Sequence, residues 1–308
     1  MAHEHSHAGG HGHDHAPASF GRAFAIGISL NLTFVVVEVV YGVAAGSVAL
    51  ISDAAHNLTD VLGLALAWGA VLLARRKPSQ RRTYGLRKST VLAALTNAVL
   101  LLLAVGAVAW EAIGRLRHPA AVEGVVMMAV AAVGVGINGI SALLFASGRK
   151  GDMNVRGAFL HLAADAVVSL GVVITGFFIL RTGWMWLDPL VSLLVSAVIL
   201  VGTWRLLKQS LNLALDAVPE GVDEKAISAY LAGLQGVLEL HDLHIWAMST
   251  TETALTAHLV MQGGSCHDTF LAEVGHELDS RFQIHHSTLQ VEPPSDSHPC
   301  RQAPQDAV

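Results

Sequence analysis

Two pairs of ionisable residues stand at the same spacing in otherwise apolar sequence, His56-Asn-Leu-Thr-Asp60 and His161-Leu-Ala-Ala-Asp165. Residues four apart on a helix share one face, about 6 Å apart along the axis, so each pair can turn two side chains toward one ion. An Asp at the centre of a membrane span costs roughly 2.5 to 3.5 kcal/mol on insertion scales, and an ionisable residue kept there is functional by default. Hydrogen bonding between helices is the alternative, and it suits one such pair better than the same pair twice at matched depth. Mixed imidazole and carboxylate ligands suit tetrahedral zinc, and two carboxylates cancel its charge in a medium that tolerates little net charge. Magnesium or calcium would instead want six or more oxygens. His56, Asp60, His161 and Asp165 are therefore the expected transport site for a divalent metal.

The elements that must hold these residues are visible in the composition, 53% hydrophobic with only 14% charged, far from the balance of a soluble globular chain. Six long apolar runs are expected to span a bilayer: Phe24 to Ala45, Ser47 to Ala74, Val91 to Ile113, Val122 to Ala146, Asp152 to Leu180 and Met185 to Leu206. Asp60 and Asp165 fall near the midpoints of the second and fifth. Basic residues crowd the loop after the second run (Arg75, Arg76, Lys77, Arg81, Arg82, Arg87, Lys88) and the loop after the fourth (Arg149, Lys150, Arg156). Lys and Arg stay on the cytoplasmic side during insertion, so both termini are expected there. Enrichment in Ala, Gly and Val fits a bacterial inner membrane. The first 19 residues are polar and His-rich and do not have the form of a cleavable signal.

The chain divides into a His-rich disordered tail (1–19), a six-helix membrane domain (20–211), a cytoplasmic α/β domain (212–292) and a flexible C-terminal tail (293–308). The expected fold is thus an all-α membrane bundle followed by a small αββαβ unit. Its helices are read over Asp223 to Leu234 and His267 to Phe282, its strands over Val237 to Met248, Ala254 to Met261 and Ser287 to Val291. Cys266 and Cys300 lie in the cytoplasmic part, where thiols stay reduced, so no disulfide is expected. Cys300 stands beside His298 without a second Cys nearby, which speaks against a Cys-pair site. In the first tail His3, His5, His7, His11, His13 and His15 read as weak, exchangeable metal capture or as a dispensable solvated segment. No basic patch with interleaved aromatics points to nucleic acid.

The runs from Ser47 to Asp60 (SVALISDAAHNLTD) and from Asn154 to Asp165 (NVRGAFLHLAAD), with six spans and a soluble tail, resemble the cation diffusion facilitator family in its zinc-type subgroup. That resemblance implies a homodimer in the lipid bilayer that exchanges cytoplasmic Zn2+ for external protons by alternating access, and no enzyme activity. It implies a metallochaperone-like cytoplasmic domain with metal-binding positions at His241, His258 and Glu292, to which His267 is added as a fourth candidate. Lys88 and Asp216 match positions of a charge interlock between the membrane and cytoplasmic halves. The loop from Arg75 to Lys88 contains no His, Asp or Glu, so an interfacial metal site found there in some members is expected to be missing.

Two other function classes fit the sequence less well. An intramembrane zinc hydrolase would need a general base apart from the ligands, and there is no HExxH run. A non-transporting metal sensor would use only the cytoplasmic site and leaves the membrane ligands unexplained. Asn31, Glu38, Asp53, Asn97 and Asn138 are further polar residues in the spans, and helix-to-helix hydrogen bonding accounts for most of them.

Overall fold

The computed structural model describes residues 20–44, 48–117, 124–150, 152–184, 186–262, 269–294, 300 and 302. His3 to His15, Cys266 and His267 lie outside the described residues, as do the side chains of Glu38, Asp53 and His56, although the backbone at these three is helical.

Six long helices come first: α1 (Phe20–Ala44), α2 (Val48–Ala74), α3 (Ser89–Arg117), α4 (Gly124–Phe145), α5 (Met153–Thr182) and α6 (Leu187–Ala214). Among the described residues four helices, α3 to α6, carry stretches long and apolar enough to cross a membrane, while the described apolar stretches within α1 and α2 are Arg22–Val37 and Asp60–Ala74. The bundle is inverted relative to a soluble protein. Leu103, Trp110, Leu143 and Val198 are each more than 60% exposed on its outside, whereas Asn31, Asp60, Asn138, Ser141 and His161 are buried within it. Bare apolar side chains over the outside, with polar and ionisable ones buried within, suit a surface that faces lipid. Helix α1 packs most extensively on α2, α3 on α6 and α4 on α5, and α2 also meets α5. Asn31 ties α1 to α4, donating to its own Gly27 carbonyl at 2.9 Å and to Ser141 Oγ at 3.4 Å.

Helix α6 continues past Leu206 to Ala214, into the stretch read from sequence as soluble. Its last turns are polar yet occupied: Ser210 and Gln209 are buried, and Gln209 accepts a 2.9 Å hydrogen bond from Arg156. There follow α7 (Glu224–Ala232), β1 (Val237–Ala247), β2 (Thr253–Met261), α8 (Phe270–Phe282) and β3 (Ile284–Glu292), the αββαβ order. β1 and β2 are antiparallel, β2 and β3 parallel, with β2 central. Ile245, Leu255, Leu259 and Ile284 of the sheet pack with Ile227 and Leu231 of α7 and Val274 and Leu278 of α8 into a single apolar core. Side chains alternate across a strand, so His258 and its partner His241 fall on the face opposite these helices.

The cytoplasmic domain is clasped to one end of the bundle. Lys88 Nζ lies 2.5 Å from Asp216 Oδ1 and donates to the Ala247 carbonyl at 3.0 Å, and Arg87 pairs with Glu252 at 2.6 Å. Val91, Leu213 and Ala247 form a small apolar cluster under these charges.

Candidate metal centres

The membrane centre is built by α2 and α5. Helix α5 begins sharply because Asp152 caps it, accepting from the backbone N–H groups of Asn154 (2.7 Å) and Val155 (3.0 Å). From that start, His161 and Asp165 emerge one turn apart on the face toward α2. His161 Nε2 stands 2.9 Å from Asp60 Oδ1 and 3.5 Å from Asp165 Oδ2. A ligand atom from each of the three lies within 4.8 Å of the other two. Bonds of 2.0–2.1 Å to a tetrahedral zinc place ligand atoms about 3.3 Å apart, which the two measured separations bracket. Both His161 nitrogens are buried. Imidazole and carboxylate groups crowded at these separations suit convergence on a shared ion. His56 is one turn from Asp60 on the same helix; its side chain is outside the described set, so three of the four sequence-derived ligands are seen together.

Burial differs on the two sides of this centre. Toward the cytoplasmic domain an apolar cluster of Phe24, Leu64, Phe145, Val155, Ala158 and Leu162 fills the bundle, with Phe24 and Phe145 in edge contact at 4.8 Å between ring centroids. On the other side a cavity of about 100 Å³ adjoins His161 and Asp165, its polar lining including Asn57, Ser169 and Ser196.

The second centre lies on the free face of the sheet. His241 and His258 are directly paired across β1 and β2, their rings 5.3 Å apart, and Glu292 ends the adjacent strand β3. Glu292 reaches His258 Nδ1 at 2.9 Å and His241 Nε2 at 3.7 Å, and Cys300 Sγ stands 3.5 Å from His258 Nδ1. These four residues offer ligand atoms within 4.8 Å of one another. Two imidazoles, a carboxylate and a thiol form a donor set that matches tetrahedral zinc. Asp242, which sequence reasoning left out, sits beside them with φ of 51° at a β-bulge, and its carboxylate faces His244 at 2.9 Å and His258 at 3.5 Å. An extra residue at a bulge re-aims side chains, and Asp tolerates the left-handed conformation better than most residues. No motif marks such a bulge. Cys300 was also missed as a partner of the histidines, because it lies far from them in sequence and meets them only in the folded chain.

Comparison with known proteins agrees over nearly the whole chain. Residues 24–213 match the family model described as cation efflux transmembrane domain, and residues 219–294 match that of the cation efflux protein cytoplasmic domain. A metal cation efflux system protein, CzcD, of Cupriavidus metallidurans is 39% identical over 275 residues, covering 89% of this chain and 86% of that one. The zinc transporter ZitB of Escherichia coli is 39% identical over 261 residues, 84% of this chain and 83% of its own. A cadmium, cobalt and zinc/H(+)-K(+) antiporter of Bacillus subtilis is 32% identical over 86% of both chains. With a helical membrane domain, an attached αββαβ cytoplasmic domain and relatives named as transporters rather than enzymes, the chain belongs to the cation efflux, or cation diffusion facilitator, family of multi-pass membrane transporters.

Proposed function

We propose that this protein exports Zn2+ from the cytoplasm in exchange for protons, with His56, Asp60, His161 and Asp165 as the transport site. The observation that carries the reading is the convergence of Asp60, His161 and Asp165 at ion-binding separations deep in the bundle. The relatives named as zinc transporters favour zinc as the substrate, and the Bacillus subtilis relative named as an antiporter favours exchange. Exchange has a direct physical basis. Metal needs deprotonated carboxylates and neutral imidazoles, so arriving protons displace it and bound metal expels protons. Imidazole, with an ordinary pKa near 6.5, makes that switch close to physiological pH. The apolar plug toward the cytoplasmic domain and the cavity on the far side fit a conformation that presents the site outward, one half of an alternating-access cycle.

The working protein in this reading is a homodimer in a bacterial inner membrane, all six long helices spanning the lipid and both termini in the cytoplasm. The end of the bundle that carries the cytoplasmic domain also carries Phe24 near the start of α1, which supports the placement of the N-terminus. Residues 1–19 act as a metal-gathering tail, 20–211 transport, and 212–292 dimerise and bind regulatory metal at His241, His258 and Glu292, with His267 as a further donor. Lys88 with Asp216 locks the two halves together.

The test is metal uptake into vesicles reconstituted with the full chain, a zinc-sensitive dye inside and an imposed pH gradient. Zinc entry that follows the gradient is expected. A protein that binds zinc yet moves none across the vesicle wall would be a sensor, and the proposal would fall.

A further inference from the structure

Asn97 of α3 touches both helices that carry the transport ligands. A Cβ added at Gly63 of α2 would come within 3.0 Å of Asn97 Oδ1, and one added at Gly157 of α5 within 3.2 Å of Asn97 Nδ2. The amide is therefore held between two bare stretches of backbone, one at each end. Gly63 follows Asp60 and Gly157 precedes His161 by about one helical turn, roughly 4.5 and 6 Å along the axes. Since the two helices run in opposite directions, both contacts fall on the same side of the metal site, toward the cytoplasmic domain.

Both distances are tighter than nine in ten contacts of real Cβ atoms, so a side chain at either glycine requires the amide to give by a few tenths of an ångström. The Asn97 side chain is short, and a shift away from one glycine carries it toward the other. The displacement must then pass into the spacing of α2 and α5, and one turn away that spacing sets the 2.9 Å approach of Asp60 to His161. A site whose supporting contacts are loosened by even a fraction of an ångström loses its geometric preference.

Building on the transport-site reading above, we propose that Asn97 is a positioning residue: wedged between Gly63 and Gly157, it fixes the separation of the two ligand helices and so selects a small tetrahedral cation over a larger soft one. Zn2+ fits the narrow setting. Cd2+, with longer bonds to the same donor types, fits a wider one.

The experiment compares Zn2+ and Cd2+ uptake by the full-length protein in vesicles, for the parent, Gly63→Ala, Gly157→Ala, Asn97→Ala and the double variant Gly157→Ala/Asn97→Ala. Each glycine variant is expected to raise KM for Zn2+ about tenfold while leaving that for Cd2+ nearly unchanged, a split that general damage does not produce. In the double variant the added methyl occupies space vacated by the amide, and the Cd2+/Zn2+ ratio returns toward that of the parent. Asn97→Ala alone, which adds no bulk and serves if the glycine variants do not fold, is expected to shift the ratio toward Cd2+. Equal losses for both cations, an unchanged ratio in Asn97→Ala, or a double variant no closer to the parent than Gly157→Ala would each overturn the wedge while leaving the transport site standing. Undiminished Zn2+ uptake by a separate Asp165→Ala control would instead remove the transport site, and the wedge with it.

Discussion

At the scale of single residues the decisive quantity is charge. Two carboxylates, Asp60 and Asp165, flank His161 in a region where Asp60 and His161 are both under 9% exposed. A dication there depends on both for neutrality, so an isosteric amide is more informative than a truncation. Asp60→Asn and Asp165→Asn are each expected to reduce zinc uptake in vesicles to the level of protein-free vesicles. Asn31→Ala, which removes a buried hydrogen bond away from the site, is expected to cost about 1 kcal/mol of stability and to keep measurable uptake. The repeated His-x-x-x-Asp spacing made this centre readable from sequence, because helical periodicity alone brings each pair onto one face. The cytoplasmic centre was readable only in part. His241 and His258 are seventeen positions apart in sequence and meet through strand register, while Cys300, further along the chain, stands 3.5 Å from His258. Cys300→Ser replaces a soft thiolate donor by a poor one, and it is expected to weaken zinc binding to the full-length protein in detergent about tenfold, as read by competition with a chromogenic chelator. Unchanged affinity would leave that thiol a neighbour of the histidines and no more.

At the scale of elements, the ends of α5 and of the β1–β2 hairpin depend on each other. Asp152 caps α5 with one carboxylate oxygen and accepts from Thr250 Oγ1 at 3.2 Å with the other, while the Thr250 backbone N–H donates to Thr90 Oγ1 at 3.1 Å and Asn154 donates to the Thr90 carbonyl at 3.2 Å. The hairpin that carries His241 and His258 is thereby fastened to the helix that carries His161 and Asp165. Replacement of an N-cap carboxylate by Ala costs about 0.5–2 kcal/mol. Asp152→Ala is therefore expected to lower the thermal midpoint of the purified protein, whereas Thr250→Val, which spares the cap, is expected to lower it less. Equal destabilisation by the two variants would mean that the tether outweighs the cap. Long apolar runs announced the six helices because hydropathy integrates over twenty residues, and the expected fifth run, Asp152 to Leu180, begins at the residue that caps α5 and ends two residues before the helix does. The end of α6 was not marked in this way, since its polar last turns are buried by Arg156 and its neighbours rather than by apolar sequence. The bulge at Asp242 was equally hidden, because register is a property of two strands and not of one.

At the scale of the molecule, the question is what makes two domains with separate cores act together. The joint is small and largely polar. Lys88 and Asp216 have side chains 37% and 63% exposed, and a pair so open to water contributes only about 0–1 kcal/mol to stability. Its value lies in orientation, since Lys88 also donates to the Ala247 carbonyl and Arg87 beside it grips Glu252. One short loop thus reaches the end of α6, the end of β1 and the turn after it. Lys88→Ala is accordingly expected to shift the thermal midpoint little and to cut zinc uptake severely, because the cytoplasmic domain loses its fixed pose while each core stays intact. The double reversal Lys88→Asp/Asp216→Lys restores the charge pair but sets a carboxylate against the Ala247 carbonyl oxygen, so it is expected to recover only part of the lost uptake. The reversal Arg87→Glu/Glu252→Arg meets no such carbonyl and is expected to recover more. If neither reversal improves on its single variants in uptake or in assembly measured by light scattering, opposite charge is not what couples the halves, and the apolar contact of Val91, Leu213 and Ala247 must hold the pose by itself.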